Sequence, residues 1–219
     1  MSIKGVVEGR CPKGCDSEEI EVWSFVRGDQ DSELRLTLLF GELNLVLCEH
    51  CGQAYYAEAV VIYLDEAAQL LAFIFPESQK ADEPRWRAKM AEDFAQLKAV
   101  LPGLHLEEPR VFFGFDEIRE LLRVDDEISD EVEVARFFMQ KLGLAAWAMD
   151  RAFARARRLP WEVPLGRGKP FSRENALEAL KVLLKANDRL EGYRRWAELL
   201  EAPAEPLPMA LPAMGKGRK

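Results

Sequence analysis

The stretch CEHCG at residues 48–52, together with CPKGC at residues 11–15, decides the fold of this chain. All four cysteines of the 219 residues lie in these two stretches. Thiolates two or three residues apart can sit on one tight turn, and two such turns provide the tetrahedral sulfur set that zinc prefers. Gly14 and Gly52 permit the backbone angles of such turns. The spacing therefore predicts one structural zinc ion held by Cys11, Cys15, Cys48 and Cys51.

Two alternatives to this ligand set follow from the same residues. A redox-active dithiol is typical of one vicinal pair beside a βαβ unit, whereas this chain has two pairs. His50 lies between Cys48 and Cys51 and is a further candidate ligand. Adjacent residues on such a turn point apart, and four thiolates already complete the coordination sphere. We therefore expect a closed site that leaves no position for water or substrate.

Outward from the two turns, β-branched and aromatic residues predict strands in the first part of the chain. Residues 64–68 suit a hairpin loop between two of these strands. A cap region at residues 29–32 predicts a short helix that Gly41 ends. The predicted strands cover residues 20–26, 43–47, 55–63 and 69–75, and the predicted helix covers residues 33–40.

From Trp86 onward the apolar residues recur at spacings of three and four, which is typical of amphipathic helices. The first of these helices is expected to end at Pro102 and Gly103, before a short strand at residues 111–113. Prolines and glycines between residues 160 and 170 predict a linker-like loop. Further helices are predicted from Asp116, over residues 131–142 with a continuation to residue 158, after a cap at Ser172, and over residues 193–200.

Four segments of the chain, in the same order, resemble the CpXC family of bacterial and archaeal proteins, which is named for two C-P-x-C-like turns. The resemblance covers about residues 1–142. It departs from the family pattern in the wider first turn and in Glu49, which stands where proline would sit in the second. The family has no characterised activity, so the resemblance implies a zinc-ribbon-like fold and no particular function. The segments are CPKGC, GELNLVLCEHCGQ, AVVIYLDEAAQLLAFIFPES and PRVFFGFDEIRELLRVDDEISDEVEVARFF.

Together these features predict an α+β protein. An N-terminal zinc-ribbon-like antiparallel sheet with a long hairpin is expected to precede a helical C-terminal region. The predicted domains are residues 1–142 for the CpXC-like part and residues 143–202 for the helices. Residues 203–219, rich in proline and alanine, are predicted to be a disordered tail.

The formal charge is unevenly distributed along the chain. Residues 1–150 contain 15 Lys and Arg against 30 Asp and Glu, whereas residues 151–219 contain 15 against 8. A basic C-terminal part can contact nucleic acid, or it can neutralise the acidic part by packing against it. We favour packing, because the basic residues share their helices with acids and apolar stripes. The candidate nucleic-acid contacts are Arg151, Arg155 and Arg158, which would share one helical face, followed by Arg167 and Lys169.

No set of residues in the sequence matches a catalytic site. The cysteines are assigned to metal, and His105, near two glutamates, fits a solvated loop better than a general base. No stretch approaches the roughly 20 apolar residues that span a bilayer, and no signal peptide is recognisable at the N-terminus. We therefore expect a cytoplasmic, non-catalytic zinc scaffold that binds another protein. A nucleic-acid-binding regulator is the first alternative, and a carboxylate-based enzyme is the second.

Overall fold

The computed structural model describes residues 1–100 and 108–202. It divides the chain into two compact units, Met1–Leu122 and Arg123–Lys219. The first unit is built on a sheet, and the second is mainly helical, so the predicted α+β class with a helical C-terminal region is confirmed. The division falls inside a long helix rather than near residue 142. The predicted domain boundaries stay a prediction, because the division of the structure follows compactness alone.

The first unit contains seven strands and two complete helices among its described residues. A two-turn 3₁₀ helix, Glu77–Asp82, leads into the second of them. The strands are β1 (Ile3–Gly9), β2 (Glu18–Arg27), β3 (Leu45–Leu47), β4 (Ala54–Tyr56), β5 (Val61–Asp65), β6 (Leu70–Phe75) and β7 (Arg110–Phe113), and the helices are α1 (Ser32–Phe40) and α2 (Glu83–Val100).

Five of these strands form one sheet in the order β1-β2-β5-β6-β7. The pairs β1–β2 and β5–β6 are antiparallel, and the pairs β2–β5 and β6–β7 are parallel, so the sheet is mixed. Strands β3 and β4 form a separate antiparallel hairpin. Apolar side chains on the central strands bury two clusters, one with α1 and one with Met90 and Phe94 of α2. Burial of these apolar surfaces stabilises the sheet.

The second unit contains most of helix α3 (Asp116–Leu142), which begins in the first unit. Its apolar cluster includes Tyr193 and Trp196, both fully buried. The Trp196 indole N–H donates to the carbonyl of Pro160 at 2.7 Å. The remaining elements are β8 (Leu144–Ala148), α4 (Arg151–Ala156), β9 (Glu162–Gly166), α5 (Arg173–Ala186) and α6 (Glu191–Glu201).

Several predicted elements differ from the structure. Residues 55–63 form the ends of two strands, because the chain leaves the hairpin at Ala57, whose N–H bonds the Asn44 carbonyl. Residues 116–142 form one continuous helix instead of two. Gly143, at φ 68°, ends that helix. The predicted helical continuation to residue 158 is therefore wrong over residues 144–148, which form strand β8, and correct only for the short helix α4. The linker predicted at residues 160–170 is wrong as well, because that region contains strand β9, which pairs with β8.

The structure also contains strand β1, which was not predicted from the sequence. The predicted cap of helix α5 is confirmed, since the Ser172 hydroxyl accepts from the Asn175 N–H. Two predictions lie outside the described residues: the helix end at Pro102 and Gly103, and the disordered tail at residues 203–219.

Candidate metal centre

The first cysteine turn follows β1 and directs one of its backbone N–H groups at a sulfur. Gly14 N–H donates to the Cys11 carbonyl at 2.9 Å, and Lys13 N–H points at the Cys11 Sγ at 3.4 Å. Gly14 has a φ of 77°, a conformation that L side chains rarely adopt, and an added Cβ would meet open space. Its backbone angle, rather than a lack of room, therefore explains the glycine.

The second cysteine turn closes the β3–β4 hairpin. Cys48 N–H donates to the Gln53 carbonyl at 2.9 Å, and Gly52 N–H donates to the Cys48 carbonyl at 2.8 Å. Gly52, at φ 69°, has the same left-handed backbone as Gly14. Both turns thus use a glycine with a left-handed backbone, as the sequence predicted, although the bond to the Cys11 carbonyl spans three residues and the bond to the Cys48 carbonyl spans four. We call residues 45–56 the cysteine hairpin.

The four sulfurs come together in one cluster. Their Sγ atoms all lie within 4.8 Å of one another, and those of Cys11 and Cys51 are 3.6 Å apart. Zn–S bonds of about 2.3 Å in a tetrahedron separate the sulfurs by about 3.8 Å. The donor set and its spacing therefore fit a four-coordinate metal ion. Cys11, Cys15, Cys48 and Cys51 would supply all of its ligands.

The crowding of the sulfurs affects the protonation of Cys15. Hydrogen bonding to Cys51, together with desolvation and the other two cysteines, raises the pKa of the Cys15 thiol to about 12. Thiolates repel one another when no cation lies between them. A divalent ion bound by Cys11, Cys15, Cys48 and Cys51 would supply that cation and would favour the thiolate form of its ligands.

His50 takes no part in this cluster. Among residues 1–100 and 108–202, the groups that could hold a metal ion together are the four cysteines alone. His50 is exposed on the turn between Cys48 and Cys51. The other histidine, His105, lies outside the described residues. The structure thus offers the metal a sulfur-only site.

The two faces of the cysteine hairpin have different environments. Tyr55, on one face, is half-buried, and its hydroxyl lies near the backbone of Gly9 in β1. Burial, the largest cause, raises the pKa of that phenol. The opposite face is apolar and exposed, because register pairs Leu45 with Tyr56 and Leu47 with Ala54. We call the side chains of Leu45, Leu47, Ala54 and Tyr56 the hairpin face.

This exposed face was not predicted from the sequence. A signal for it exists. Leu45 and Leu47 point to one face of the strand and Val46 points to the other, so both faces carry apolar side chains. A hairpin of two three-residue strands is too short to be covered on both faces, so one apolar face is exposed. Only the register with β4 reveals which face is exposed.

The candidate nucleic-acid residues do not form the predicted row. Helix α4 ends at Ala156, and Arg158 follows it with a φ of 52°, so Arg151, Arg155 and Arg158 do not share a helical face. Arg155 is paired with Asp125 at 2.9 Å, and its side chain is 9% exposed. The shared face was therefore a wrong expectation, because the helix ends two residues before Arg158.

The other candidate basic residues are placed separately. The Arg151 guanidinium lies 4.0 Å from the centre of the Trp161 ring. Lys169 pairs with Glu178 at 2.8 Å, and Arg167 is exposed in the turn after β9. Nucleic-acid binding by these residues stays a prediction.

The described part of the chain contains no helix with the length and apolar character needed to cross a membrane. This agrees with the composition of the sequence, in which charged residues interrupt every apolar run.

Comparison with known proteins identifies the family. The model of the family described as CpXC protein matches residues 10–136, which include all four cysteines, both turns and the five-stranded sheet from β2 onward. No curated protein and no solved structure matches the chain. The match covers more than half of the 219 residues, so the chain belongs to the CpXC family.

Proposed function

We propose that this protein is a non-catalytic scaffold, in which a structural zinc ion holds the cysteine hairpin so that the hairpin face binds another protein. The observation that carries the proposal is the position of the four-thiol cluster at the end of a hairpin whose opposite face is apolar and exposed. Zinc is the ion of choice because four thiolates in a tetrahedron are typical of structural zinc sites.

The closed ligand set supports a structural role. A catalytic zinc site keeps a position open for water or substrate, and four cysteine ligands fill all four positions. Cys11 and Cys48 are buried, Cys15 is half-buried and Cys51 is exposed, so two of the four ligands are anchored in the fold. A zinc ion bound in this way stabilises structure and takes no part in a reaction.

The exposed apolar residues support a protein partner. Leu47 is 67% exposed and Tyr56 is 45% exposed. The Tyr56 hydroxyl donates to the Gly41 carbonyl at 2.6 Å, which brings the end of α1, with the 71% exposed Phe40, next to the hairpin. Contiguous exposed apolar surface of this kind marks protein interaction sites.

The basic residues give less support to a nucleic-acid contact. Arg155 and Lys169 each pair with a carboxylate, and Arg151 lies on an indole ring. A phosphate would have to compete with these partners for the positive charges. We therefore rank protein binding first and keep nucleic acid as the alternative that the experiment must separate.

The experiment is an affinity capture from the native host with three forms of the protein: wild type, Leu47→Glu and Val182→Glu. Val182 of α5 is 46% exposed and provides a matched apolar-to-acid change outside the hairpin. We expect a protein retained by wild type and by Val182→Glu, insensitive to nuclease, and lost with Leu47→Glu. The same protein should be lost when a chelator removes the metal.

Two outcomes contradict the proposal. Retention of the same proteins by Leu47→Glu would remove the hairpin face from the interaction. Loss of all captured material after nuclease treatment would favour the nucleic-acid alternative. Metal content of each form, measured by elemental analysis, controls for loss of the zinc-bound fold.

A further inference from the structure

A groove of about 490 Å³ lies beside the hairpin face in the first unit, and Tyr56 belongs to both. The groove is formed where β6 and β7 end and α3 begins, with the segment after β4 on its other side. Three stretches separated in sequence, residues 56–59, 74–80 and 113–117, meet there because β6 and β7 are parallel neighbours.

The floor and wall of the groove are aromatic. Phe75 and Phe113 are buried and stacked, with ring centres 5.7 Å apart. Tyr56 and Phe115 form a second pair, with ring centres 5.4 Å apart, and both are more exposed than the first pair. Aromatic faces attract apolar side chains, and they also attract cations through their quadrupoles.

The rim of the groove is acidic. Four carboxylates line it, whereas only one ammonium group, that of Lys80, does so among the described residues. Asp116 is paired with Arg119, and Glu58 accepts from the Ser78 hydroxyl. Among the described residues, neither Glu77 nor Glu117 forms an ion pair. The four carboxylates are those of Glu58, Glu77, Asp116 and Glu117.

From this geometry we infer that the groove binds a segment of a partner protein in which basic side chains accompany apolar ones. The inference rests on the proposed scaffold function and names the chemistry of its partner. Apolar side chains of the segment contact the aromatic floor, while Lys or Arg side chains contact the carboxylates of the rim. Charge complementarity selects this occupant, because an acidic rim repels phosphates and acidic peptides.

The main-chain turn at Gly114 fits this role. Gly114, at φ 74°, donates its N–H to the Phe75 carbonyl at 2.8 Å, which ties the end of β7 to the end of β6. The chain then turns into α3 with Phe115 at the groove wall. The two aromatic pairs are therefore held by backbone hydrogen bonds and by the cysteine hairpin, so the groove is formed before a partner arrives.

The test uses the zinc-loaded full chain and three synthetic dodecapeptides. One alternates leucine with lysine, the second leucine with glutamate, and the third serine with lysine. Backbone amide shifts, followed by NMR, report where each peptide binds. We expect the leucine–lysine peptide to shift amides of residues 56–59, 74–80 and 113–117, and its affinity to fall about tenfold or more between about 0.05 and 0.5 M salt. The other two peptides should bind at least about tenfold more weakly.

A double charge reversal, Glu58→Lys with Glu77→Lys, tests the rim. We expect it to weaken the leucine–lysine peptide by about tenfold or more. The matched control is Glu19→Lys with Glu92→Lys, which changes the net charge equally at exposed positions outside the groove. The control should stay within about twofold of wild type. If the reversed variant fails to fold, Glu58→Gln with Glu77→Gln should weaken binding in the same direction with a smaller fold-change.

Three results would overturn the inference: peptide shifts outside the groove, equal binding of the leucine–glutamate peptide, or equal losses in the two double variants. Shifts of the same amides by a single-stranded DNA oligomer would overturn it as well. Failure here is separable from failure of the scaffold proposal. If Leu47→Glu abolishes capture of the host protein while the groove variants still capture it, the scaffold proposal is supported. The inference that the groove binds a basic segment of the partner would then be wrong.

Discussion

The cysteine hairpin and the helical core of the second unit differ in how much apolar surface they bury. The hairpin consists of two three-residue strands, and its buried residues include Cys48 but no large apolar side chain. None of the apolar clusters found in the described residues includes a residue from 45 to 56. The second unit instead buries a large cluster around Tyr193 and Trp196. A two-stranded hairpin is marginal by itself in water, so we expect a bound metal to supply the stability that apolar burial supplies in the second unit.

Metal removal should have the largest effect on structure, and the loss of structure should be confined to the cysteine hairpin. We expect Cys48→Ser to lose the metal and to unfold the cysteine hairpin, because structural zinc contributes roughly 10–16 kcal/mol of binding free energy in zinc-finger peptides. Elemental analysis measures the metal, and amide hydrogen exchange measures protection of residues 45–56. Amides of α5 and α6 should keep their protection.

His50→Ala is the matched control, since His50 is exposed between two cysteines and lies outside the sulfur cluster. It should keep one metal ion and the protection of the hairpin. Loss of metal in His50→Ala would add the imidazole to the ligands. A folded, metal-free Cys48→Ser would show that the hairpin needs no metal, and the comparison would fail.

Trp196→Ala should destabilise the second unit, where burial rather than a metal is expected to hold the fold. Trp196 is fully buried, and its indole donates to the Pro160 carbonyl. Truncating a buried Trp costs about 3–5 kcal/mol through lost burial and the cavity that remains. The Pro160 carbonyl loses its donor as well. Denaturant unfolding should report this loss, with metal content unchanged at low denaturant.

Phe137→Ala is the control for Trp196→Ala, because Phe137 of α3 is 53% exposed. Its unfolding free energy should change by less than about 1 kcal/mol. Similar losses in both variants, or loss of metal from folded Trp196→Ala, would mean that burial around Trp196 is not what separates the second unit from the hairpin.

The clustering of the four cysteines could be predicted from the sequence, and so could most of the sheet, for a simple reason. Ligand spacing is a local property, so the sequence of residues 11–15 and 48–52 predicts the two turns without knowledge of the rest of the fold. Strand β6 was likewise predicted within one residue, because its apolar run is bounded by Pro76. Local signals were enough wherever the structure depends on neighbours in the chain.

Prediction failed where pairing with a distant segment decides the conformation. Strand β8 has the sequence LAAWA, whose alanines favour a helix, yet it pairs with β9 and its Pro164. A proline is tolerated there because each strand of a two-stranded sheet has a free edge. The groove was missed for the same reason: its three stretches meet only through the order of β6 and β7.

The smallest expected effect concerns Glu131 of α3, and it sharpens the view that burial governs the second unit. The Glu131 carboxylate accepts from the Gly192 N–H at 2.8 Å, at the start of α6. Burial nevertheless raises the pKa of Glu131 above its ordinary value of 4.5, because desolvation outweighs these bonds. The folded state therefore holds this proton more tightly than the unfolded state does. Its contribution to stability falls as the pH rises from about 4.5 through the raised pKa.

Glu131→Gln should remove this part of the pH dependence while its amide oxygen still accepts from the Gly192 N–H. We expect the free energy of unfolding, followed by denaturant titration at several pH values above 4.5, to decline less steeply with pH in Glu131→Gln than in wild type. Glu133→Gln, an exposed neighbour on the same helix, should keep the wild-type slope. If the free energy of unfolding depends on pH equally in Glu131→Gln and in wild type, the backbone hydrogen bonds at the start of α6 offset the cost of burying the carboxylate. The pKa of Glu131 would then not be governed by burial.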